Sequence, residues 1–179
     1  MALILLDRDG VINVNRDDYV KTPSELIIYD EAFEAIRYLK HGGYSVAVIT
    51  NQSAVGRGII SKDELDKIHN YMVSQIFAET GYYLEHIYQC LDAPHKATYR
   101  RKPNPGMLEE AIHDFHQEPE SVIFIGDSLS DLQAAKEAGC KPVLVLTGHG
   151  KKTLLEIEEK DFYPLEIYPD ILQAVRGIV

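Results

Sequence analysis

Two carboxylates one residue apart, Asp7 and Asp9, directly follow a short apolar run near the start of the chain. The run Leu3–Leu6 predicts a buried strand, and the ligands of α/β sheets collect just outside the carboxyl ends of strands. Side chains at i and i+2 of an extended segment point the same way, so both carboxylates can face one site. Carboxylates this close repel each other unless a cation or a shared proton intervenes, which favours a bound metal ion. A strand that merely ends in a polar turn at Gly10 fits this motif alone equally well.

Polar side chains also follow three later apolar runs. Residues 50–53 follow the apolar run 44–49, and Arg101 and Lys102 lie in the loop after the run 86–91. Asp127 and Asp131 follow the run 122–125. If the strands run parallel, the groups meet at one edge of the sheet. Their types suit phosphoryl transfer, which needs positioning and charge stabilisation above all.

Each group has a chemical use in such a site. Asp7 and Asp127 supply the hard oxygen ligands that Mg²⁺ prefers. Lys102 supplies a positive charge, and Thr50 with neighbouring backbone amides supplies hydrogen-bond donors, for the oxygens of a phosphate. The sequence therefore predicts a magnesium-assisted phosphoryl-transfer site.

Apolar runs with strand character alternate with helix patterns along the chain, which predicts βαβ units. We expect an α/β fold with a Rossmann-like parallel sheet flanked by helices, and a single domain over residues 1–179. A long polar loop at 13–28 lies next to the opening motif and could cover the site. Two further runs predict strands at 143–146 and 163–168. Asp30 is predicted to cap a first helix, and Ser61 to open a second with a capping box to Glu64. Asn104 is predicted to start a third, with Pro105 as its first helical residue.

The composition is that of an ordinary globular protein, with 45% apolar and 26% charged residues among 179. The net charge of −10 leaves no basic surplus to neutralise nucleic-acid phosphates, so we expect no nucleic-acid partner. No apolar run approaches a membrane span, and the chain start lacks the basic flank of a signal peptide. Cys90 and Cys140 give no disulfide framework. We expect a cytoplasmic monomer without membrane association.

In their order, the motifs resemble those of the haloacid dehalogenase superfamily phosphatases. They are Asp7-Arg8-Asp9-Gly10-Val11, Thr50, Lys102 and Gly126-Asp127-Ser128-Leu129-Ser130-Asp131. More narrowly, residues 7–13, 50–53 and 101–107 are similar to those of the D-glycero-D-manno-heptose 1,7-bisphosphate 7-phosphatases, whose relatives are the histidinol-phosphate phosphatases. The resemblance covers residues 3 to about 150. It implies a haloacid dehalogenase-like fold without a large cap domain, and Mg²⁺-dependent hydrolysis of a small phosphorylated sugar.

The resemblance also implies a role for each motif residue. Asp7 would be the nucleophile that forms an aspartyl-phosphate, and Asp9 would be the general acid and base. Asp7, the backbone carbonyl of Asp9, and Asp127 would hold Mg²⁺, while Thr50 and Lys102 would stabilise the phosphoryl oxygens. The residues expected to bind the substrate are Arg8, Asn15, Asp18, Tyr19, Asn51, Gln52, Ser53, Arg101 and Ser128.

One departure from the family concerns its zinc site, a Cys-x-His and Cys-x-Cys set before the Arg101-Lys102 motif. Here Cys90 is present, His95 is displaced, and the later cysteine positions hold Thr98 and Arg100. A closed structural zinc site needs four ligands. We therefore expect no zinc, and a loop held by packing and hydrogen bonds instead.

Several alternatives remain open from the sequence. Within enzymes, the substrate could be histidinol phosphate or another small sugar phosphate. A phospho-accepting signalling module is a more remote alternative, because Asp9 offers a built-in acid and base that speeds hydrolysis. Asp131 either holds a nearby cation or caps its helix, His149 has no assigned role, and His69 is expected to be solvated or satisfied by a partner.

Overall fold

A six-stranded, fully parallel sheet forms the centre of the computed structural model, which describes residues 2–159 and 165–179. The strands lie in the order β3-β2-β1-β4-β5-β6, which confirms the predicted parallel α/β fold. Their bounds are β1 (Leu3–Leu6), β2 (Ser45–Asn51), β3 (His86–Cys90), β4 (Ile123–Gly126), β5 (Lys141–Val145) and β6 (Glu166–Tyr168).

Helices connect the strands and cover both faces of the sheet. They are α1 (Asp30–His41), α2 (Ser53–Gly56), α3 (Lys62–Thr80), α4 (Gly106–Asp114), α5 (Leu129–Glu137), α6 (Gly150–Glu159) and α7 (Ile171–Ile178). Short 3-10 helices lie at Pro23–Glu25, Pro94–Lys96 and Pro119–Ser121. Ser61 begins α3 with the predicted capping box to Glu64, which satisfies amide groups that a helix start leaves unpaired.

The element bounds differ from the sequence prediction at a few ends. Strand β2 runs through Thr50 and Asn51 instead of stopping before them, because both residues pair with β3. Helix α4 begins at Gly106, with Pro105 as its N-cap rather than its first helical residue. Likewise α1 has Tyr29 as its N-cap, so Asp30 is a helical residue. Residues 163 and 164 of the predicted last strand lie outside the described residues.

The core explains why the strands are apolar on both sides. On β1, Ile4 and Leu6 pack in a layer with α1, α3 and α7, whereas Leu3 and Leu5 pack in a layer with α4 and α5. Alternate side chains of a strand point to opposite faces, so a sheet covered on both faces needs a continuous apolar run. On β1 the first charged side chain, Asp7, therefore comes where the apolar run ends, at the carboxyl edge of the sheet.

Nothing described between the motifs forms a large cap domain over that edge. The segment from β1 to α1 instead carries one 3-10 helix, Pro23–Glu25, and isolated β-bridges tie Asn13 to Asp9 and to Ile28. Across residues 2–159 and 165–179, no helix combines the length and the apolar character needed to cross a membrane.

Candidate active site

Three buried carboxylates converge at the carboxyl edge of the sheet. Asp7 directly follows β1, Asp127 directly follows β4, and Asp131 lies in the first turn of α5. One carboxylate oxygen of each lies within 4.8 Å of the others. The backbone N–H of Asp7 continues the sheet by donating to the carbonyl of Ile125 at 3.0 Å. Neighbouring central strands therefore bring together acids that are 120 residues apart in the chain.

Lys102 is the cation of this cluster. Its buried Nζ lies 3.0 Å from Asp7 Oδ1 and 2.6 Å from Asp131 Oδ1, and it donates to the carbonyl of Ile49 at 3.0 Å. The side-chain amide of Asn51 fixes the backbone of Lys102, accepting from its N–H at 3.1 Å and donating to its carbonyl at 3.0 Å. The loop that carries Lys102 is thus joined to the end of β2.

The partners of the three carboxylates differ in a way that suits a metal ion. Asp131 uses both oxygens, since Oδ1 pairs with Lys102 and Oδ2 accepts from the N–H groups of Asp127 and Ser128 and from the Ser128 hydroxyl. Asp7 uses Oδ1 alone, and Asp127 uses Oδ2 alone, among the residues described. Asp7 and Asp127 each keep one hard oxygen for a cation such as Mg²⁺.

Burial beside like charges changes the pKa values of the cluster. Burial, and then the charge of Asp131, raise the pKa of Asp7 well above its usual range, although Lys102 opposes this. Burial and Asp131 likewise raise the pKa of Asp127 to about 7. Burial lowers the pKa of Lys102, but the charges of Asp131 and Asp7 outweigh it and the net shift is upward. One ammonium faces three acids, so a divalent cation would relieve the remaining repulsion.

Two glycines allow the backbone to approach Asp127 closely. A Cβ on Gly10 would lie 2.0 Å from Asp127 Oδ2, and a Cβ on Gly148 would lie 2.1 Å from the same atom. Both glycines also have positive φ angles, 84° and 55°, which L side chains rarely adopt. The N–H of His149 then donates to Asp127 Oδ2 at 2.7 Å, and the Thr153 hydroxyl donates to the Asp127 carbonyl at 2.8 Å. Asp127 is held from the loop after β5 as well as from β4.

The Asp9 carboxylate accepts three side-chain hydrogen bonds. Arg8 Nη2 and Asn13 Nδ2 donate to Oδ1 at 2.8 and 2.9 Å, and Gln52 Nε2 donates to Oδ2 at 2.9 Å. Gln52 Nε2 also donates to the buried hydroxyl oxygen of Thr50 at 2.8 Å. Burial raises the pKa of Asp9, but the charge of Arg8 and these hydrogen bonds outweigh burial and lower it. These hydrogen bonds fix the position of the Asp9 carboxyl group beside the cluster.

The guanidinium of Arg8 is buried, with 1% of the side chain exposed. Besides Asp9, it contacts His69 of α3, with 3.1 Å between Arg8 Nη1 and His69 Nε2. Arg8 was predicted to bind the substrate, but its guanidinium is turned to these two residues. Its observed contacts are those of a group that orients Asp9.

A cavity of about 290 Å³ opens at this edge. The predicted site residues in its lining are Asp7, Arg8, Asp9, Asn15, Tyr19, Asn51, Gln52, Lys102, Asp127 and Ser128. Lining residues outside the predicted site set are Arg16, Asp17, Val20, Ser130, Asp131 and His149. The early loop and the loop after β5 meet across it, where Asn15 Nδ2 lies 3.0 Å from His149 Nε2.

Four predicted residues do not belong to that lining. Thr50 and Ser53 are buried, and Thr50 reaches Asp9 only through Gln52. Asp18 is exposed and pairs with Arg16 and Lys21 within its own loop. Arg101 donates Nη1 to the carbonyl of Asp92 at 2.8 Å instead.

The loop between β3 and α4 is held by hydrogen bonds that Asp92 accepts. Its Oδ2 accepts from the N–H of Thr98 at 2.7 Å and from the Thr98 hydroxyl at 2.6 Å. Asn104 Nδ2 donates to the Thr98 carbonyl at 3.0 Å. Because Arg101 also donates to the Asp92 backbone, this loop carries Arg101 and Lys102 on a hydrogen-bonded frame.

Three residues outside the predicted site set contact the motif side chains. Asn13 belongs to the opening motif, and its spacing of four residues from Asp9 was the available signal. Asp131 was left undecided, and the structure shows that it both pairs with Lys102 and caps α5 with Ser128. His69 lies in the apolar stripe of α3, where no sequence signal marks a contact with Arg8.

Comparison with known proteins gives a consistent result. The HAD-hydrolase-like family model matches residues 99–174. A D-glycero-beta-D-manno-heptose-1,7-bisphosphate 7-phosphatase from Neisseria meningitidis is 44% identical over 154 residues, 86% of this chain and 82% of the relative. The D-glycero-alpha-D-manno-heptose-1,7-bisphosphate 7-phosphatase from Burkholderia mallei is 37% identical, over 80% of this chain and 78% of the relative.

A solved structure is similar over nearly the whole chain. It is the D,D-heptose 1,7-bisphosphate phosphatase from B. bronchiseptica complexed with magnesium and phosphate. Its TM-score is 0.93 at 36% sequence identity, and the match covers 99% of this chain and 98% of that one.

Proposed function

The chain belongs to the haloacid dehalogenase-like phosphatases, and we propose that it removes the 7-phosphate of D-glycero-D-manno-heptose 1,7-bisphosphate with Mg²⁺ as its cofactor. The observation that carries this proposal is the convergence of Asp7, Asp127 and Lys102 at the mouth of one cavity. The names of the Neisseria meningitidis and Burkholderia mallei relatives support the substrate, and they differ in the anomer.

In the first step, Asp7 attacks the phosphorus atom of the substrate. The N–H of Arg8 at 2.7 Å and the ammonium of Lys102 at 3.0 Å hold its Oδ1 and so orient the carboxylate, of which one oxygen attacks while the other would bind Mg²⁺. The new bond joins the attacking oxygen of Asp7 to phosphorus, and the bond from phosphorus to the sugar oxygen breaks. Asp9, protonated for this step, gives its proton to that oxygen, so the sugar leaves as an alcohol.

In the second step, water hydrolyses the aspartyl-phosphate. Asp9 now takes a proton from the water as the water oxygen attacks phosphorus, and the bond to Asp7 breaks. Inorganic phosphate leaves and Asp7 is again a carboxylate. The three donors around Asp9 stabilise the carboxylate that accepts this proton.

The other residues of the cavity act on charge and position. Asp7 and Asp127, with the backbone carbonyl of Asp9, would hold Mg²⁺, which neutralises charge on the phosphoryl oxygens when bound. Lys102 supplies a second positive charge to those oxygens. Thr50, 0% exposed, acts by holding Gln52 beside Asp9.

The proposed sugar contacts are the lining residues of the two facing loops and of β2. Asn15, Tyr19, Asn51, Gln52 and Ser128 line the cavity. Arg101 stays a proposed substrate contact from its motif, and this contact would require its Nη1 to leave the carbonyl of Asp92. We further propose a single phosphatase domain over residues 1–179, a monomer, and a loop near Cys90 that binds no zinc.

The test is phosphate release, with Mg²⁺ and with EDTA, from both anomers of the heptose bisphosphate, from histidinol phosphate and from common sugar phosphates. We expect Mg²⁺-dependent turnover that is highest on one heptose bisphosphate anomer. Asp7→Asn should abolish turnover, whereas Asp66→Asn, which changes an exposed acid of α3, should not. A preference for another phosphomonoester would rule out the heptose bisphosphate as the substrate. Unchanged hydrolysis by Asp7→Asn would rule out the aspartyl-phosphate mechanism.

A further inference from the structure

A buried histidine contacts the candidate active site from behind. His69 is 6% exposed on α3, and it does not line the cavity. Its Nε2 lies 3.1 Å from Nη1 of Arg8, whose Nη2 donates to Asp9 Oδ1 at 2.8 Å. The three side chains form a continuous chain from helix α3 to the proposed acid and base.

The direction of the first hydrogen bond follows from chemistry. A guanidinium nitrogen carries no acceptor lone pair, so Arg8 Nη1 donates and His69 Nε2 accepts. Burial and the charge of Arg8 lower the pKa of His69 to about 3, so its ring is neutral at physiological pH. The neutral tautomer with its proton on Nδ1 is the one that offers a lone pair at Nε2.

Few other contacts fix the guanidinium of Arg8. Its Nε is buried and has no hydrogen-bond partner among the described residues. Its orientation therefore depends on His69 on one side and Asp9 on the other. Helix α3 gives His69 a fixed position, because Ile68 and Met72 on either side of it are completely buried in the core.

We propose that His69 is a positioning residue of this phosphatase: it fixes the Arg8 guanidinium, which in turn sets the Asp9 carboxyl group for proton transfer to the leaving sugar oxygen. The inference rests on the proposed function, in which Asp9 is the general acid. Asp9 Oδ1 accepts from both Arg8 and Asn13, whereas Oδ2 accepts from Gln52 alone, so Oδ2 is the oxygen with room for the proton that Asp9 delivers. Arg8 and His69 keep their own protons throughout.

The test exploits the leaving group. A sugar alkoxide needs a proton as it leaves, whereas p-nitrophenolate leaves without one, so a misplaced acid affects only the sugar phosphate. The parameter is kcat/KM, which covers the steps up to release of the leaving group. His69→Leu removes the acceptor, and we expect kcat/KM to fall about 10-fold to 100-fold on the heptose bisphosphate and to change little on p-nitrophenyl phosphate. His69→Gln, whose Oε1 can accept from Arg8, should restore most of the loss.

Two comparisons keep the result interpretable. Thr80→Val removes a buried hydroxyl that donates to the Ile76 carbonyl at 2.6 Å on the same helix, so it reproduces a loss of stability without touching Arg8. Asp9→Asn sets the effect of losing the acid itself. If Asp9→Asn lowers kcat/KM equally on both substrates, the proposed role of Asp9 and this inference both fail.

If Asp9→Asn is selective for the sugar phosphate but His69→Leu is not, the inference alone is overturned. The inference is overturned if His69→Leu lowers kcat/KM equally on both substrates, raises it or leaves it unchanged. It is also overturned if His69→Gln does not restore kcat/KM on the sugar phosphate. A selective loss in His69→Leu that Thr80→Val does not share supports it.

Discussion

Replacing Asp127 by asparagine should stabilise the protein in the absence of metal, although it removes a proposed metal ligand. Asp127 is 2% exposed, and burial with the neighbouring Asp131 raises its pKa to about 7. At pH 8 the folded protein therefore holds a carboxylate that its surroundings disfavour. Asparagine has the same shape, keeps an oxygen to accept from the His149 N–H, and carries no charge.

The pKa of Asp127 sets the size and the sign of the effect. The difference between about 7 in the folded chain and the ordinary 3.8 corresponds to about 4 kcal/mol at pH 8, so we expect a gain of about 2 to 4 kcal/mol. Below pH 7 the folded protein binds a proton that the unfolded chain does not, so the wild-type protein gains stability as the pH falls toward 4. The advantage of the variant should therefore shrink by about 3 kcal/mol between pH 8 and pH 5.

The assay is thermal and urea denaturation in EDTA at pH 8 and pH 5. At pH 8 we expect Asp127→Asn to melt about 5 to 15 °C higher than the wild-type protein. Asp18→Asn is the matched control, because ion pairs with Lys21 and Arg16 lower the pKa of that exposed acid and its loss should not stabilise. A less stable Asp127→Asn at pH 8, or the same advantage at both pH values, would refute the reasoning.

Three further predictions concern buried titratable groups at the site and behind it. Mg²⁺ affinity should fall about tenfold between pH 8 and pH 6, because protons compete with the metal for Asp127, whose pKa is about 7. The affinity is measured by calorimetric titration at both pH values, and an equal affinity at the two would contradict this prediction. Lys102→Met should lose turnover and about 3 to 5 kcal/mol of stability at pH 8, since it leaves buried carboxylates without their cation, and an unchanged urea midpoint would count against it. Between pH 7 and pH 5 the wild-type protein should lose about 2 kcal/mol of stability relative to His69→Gln, because unfolding lets His69, with a folded pKa of about 3, take up a proton. His95→Gln, on an exposed loop, controls for the change of side chain. Stability curves of wild type and His69→Gln that run parallel against pH would exclude the effect.

The central acids could be predicted from the sequence because local signals place them. Asp7 and Asp127 each follow an apolar run, and such a run buried on both faces specifies a strand of a parallel sheet. Once the strands run parallel, their carboxyl ends share an edge whatever the detailed loop structure. The position of Lys102 followed from its motif.

The surrounding contacts could not be predicted, since they depend on tertiary packing over long sequence separations. His69 follows Ile68 in a helix whose periodicity signals only a core-facing side, and its contact with Arg8 joins residues 61 positions apart. The Asn15 and His149 contact spans 134 positions between two loops. Asp18 was placed among the substrate contacts, yet its pairing with Arg16 and Lys21 depends on a loop conformation that residue types alone do not set.

The charge balance of the cluster also bears on the order of binding. Asp7, Asp127 and Asp131 face the single ammonium of Lys102, which leaves an excess of negative charge in a buried region. A phosphate monoester brings further negative charge, and in a poorly solvated site this repulsion is stronger than in water. A divalent cation at Asp7 and Asp127, the two acids with an unused oxygen, cancels this excess. Substrate affinity should therefore be linked to Mg²⁺, with each ligand strengthening the binding of the other by the same factor.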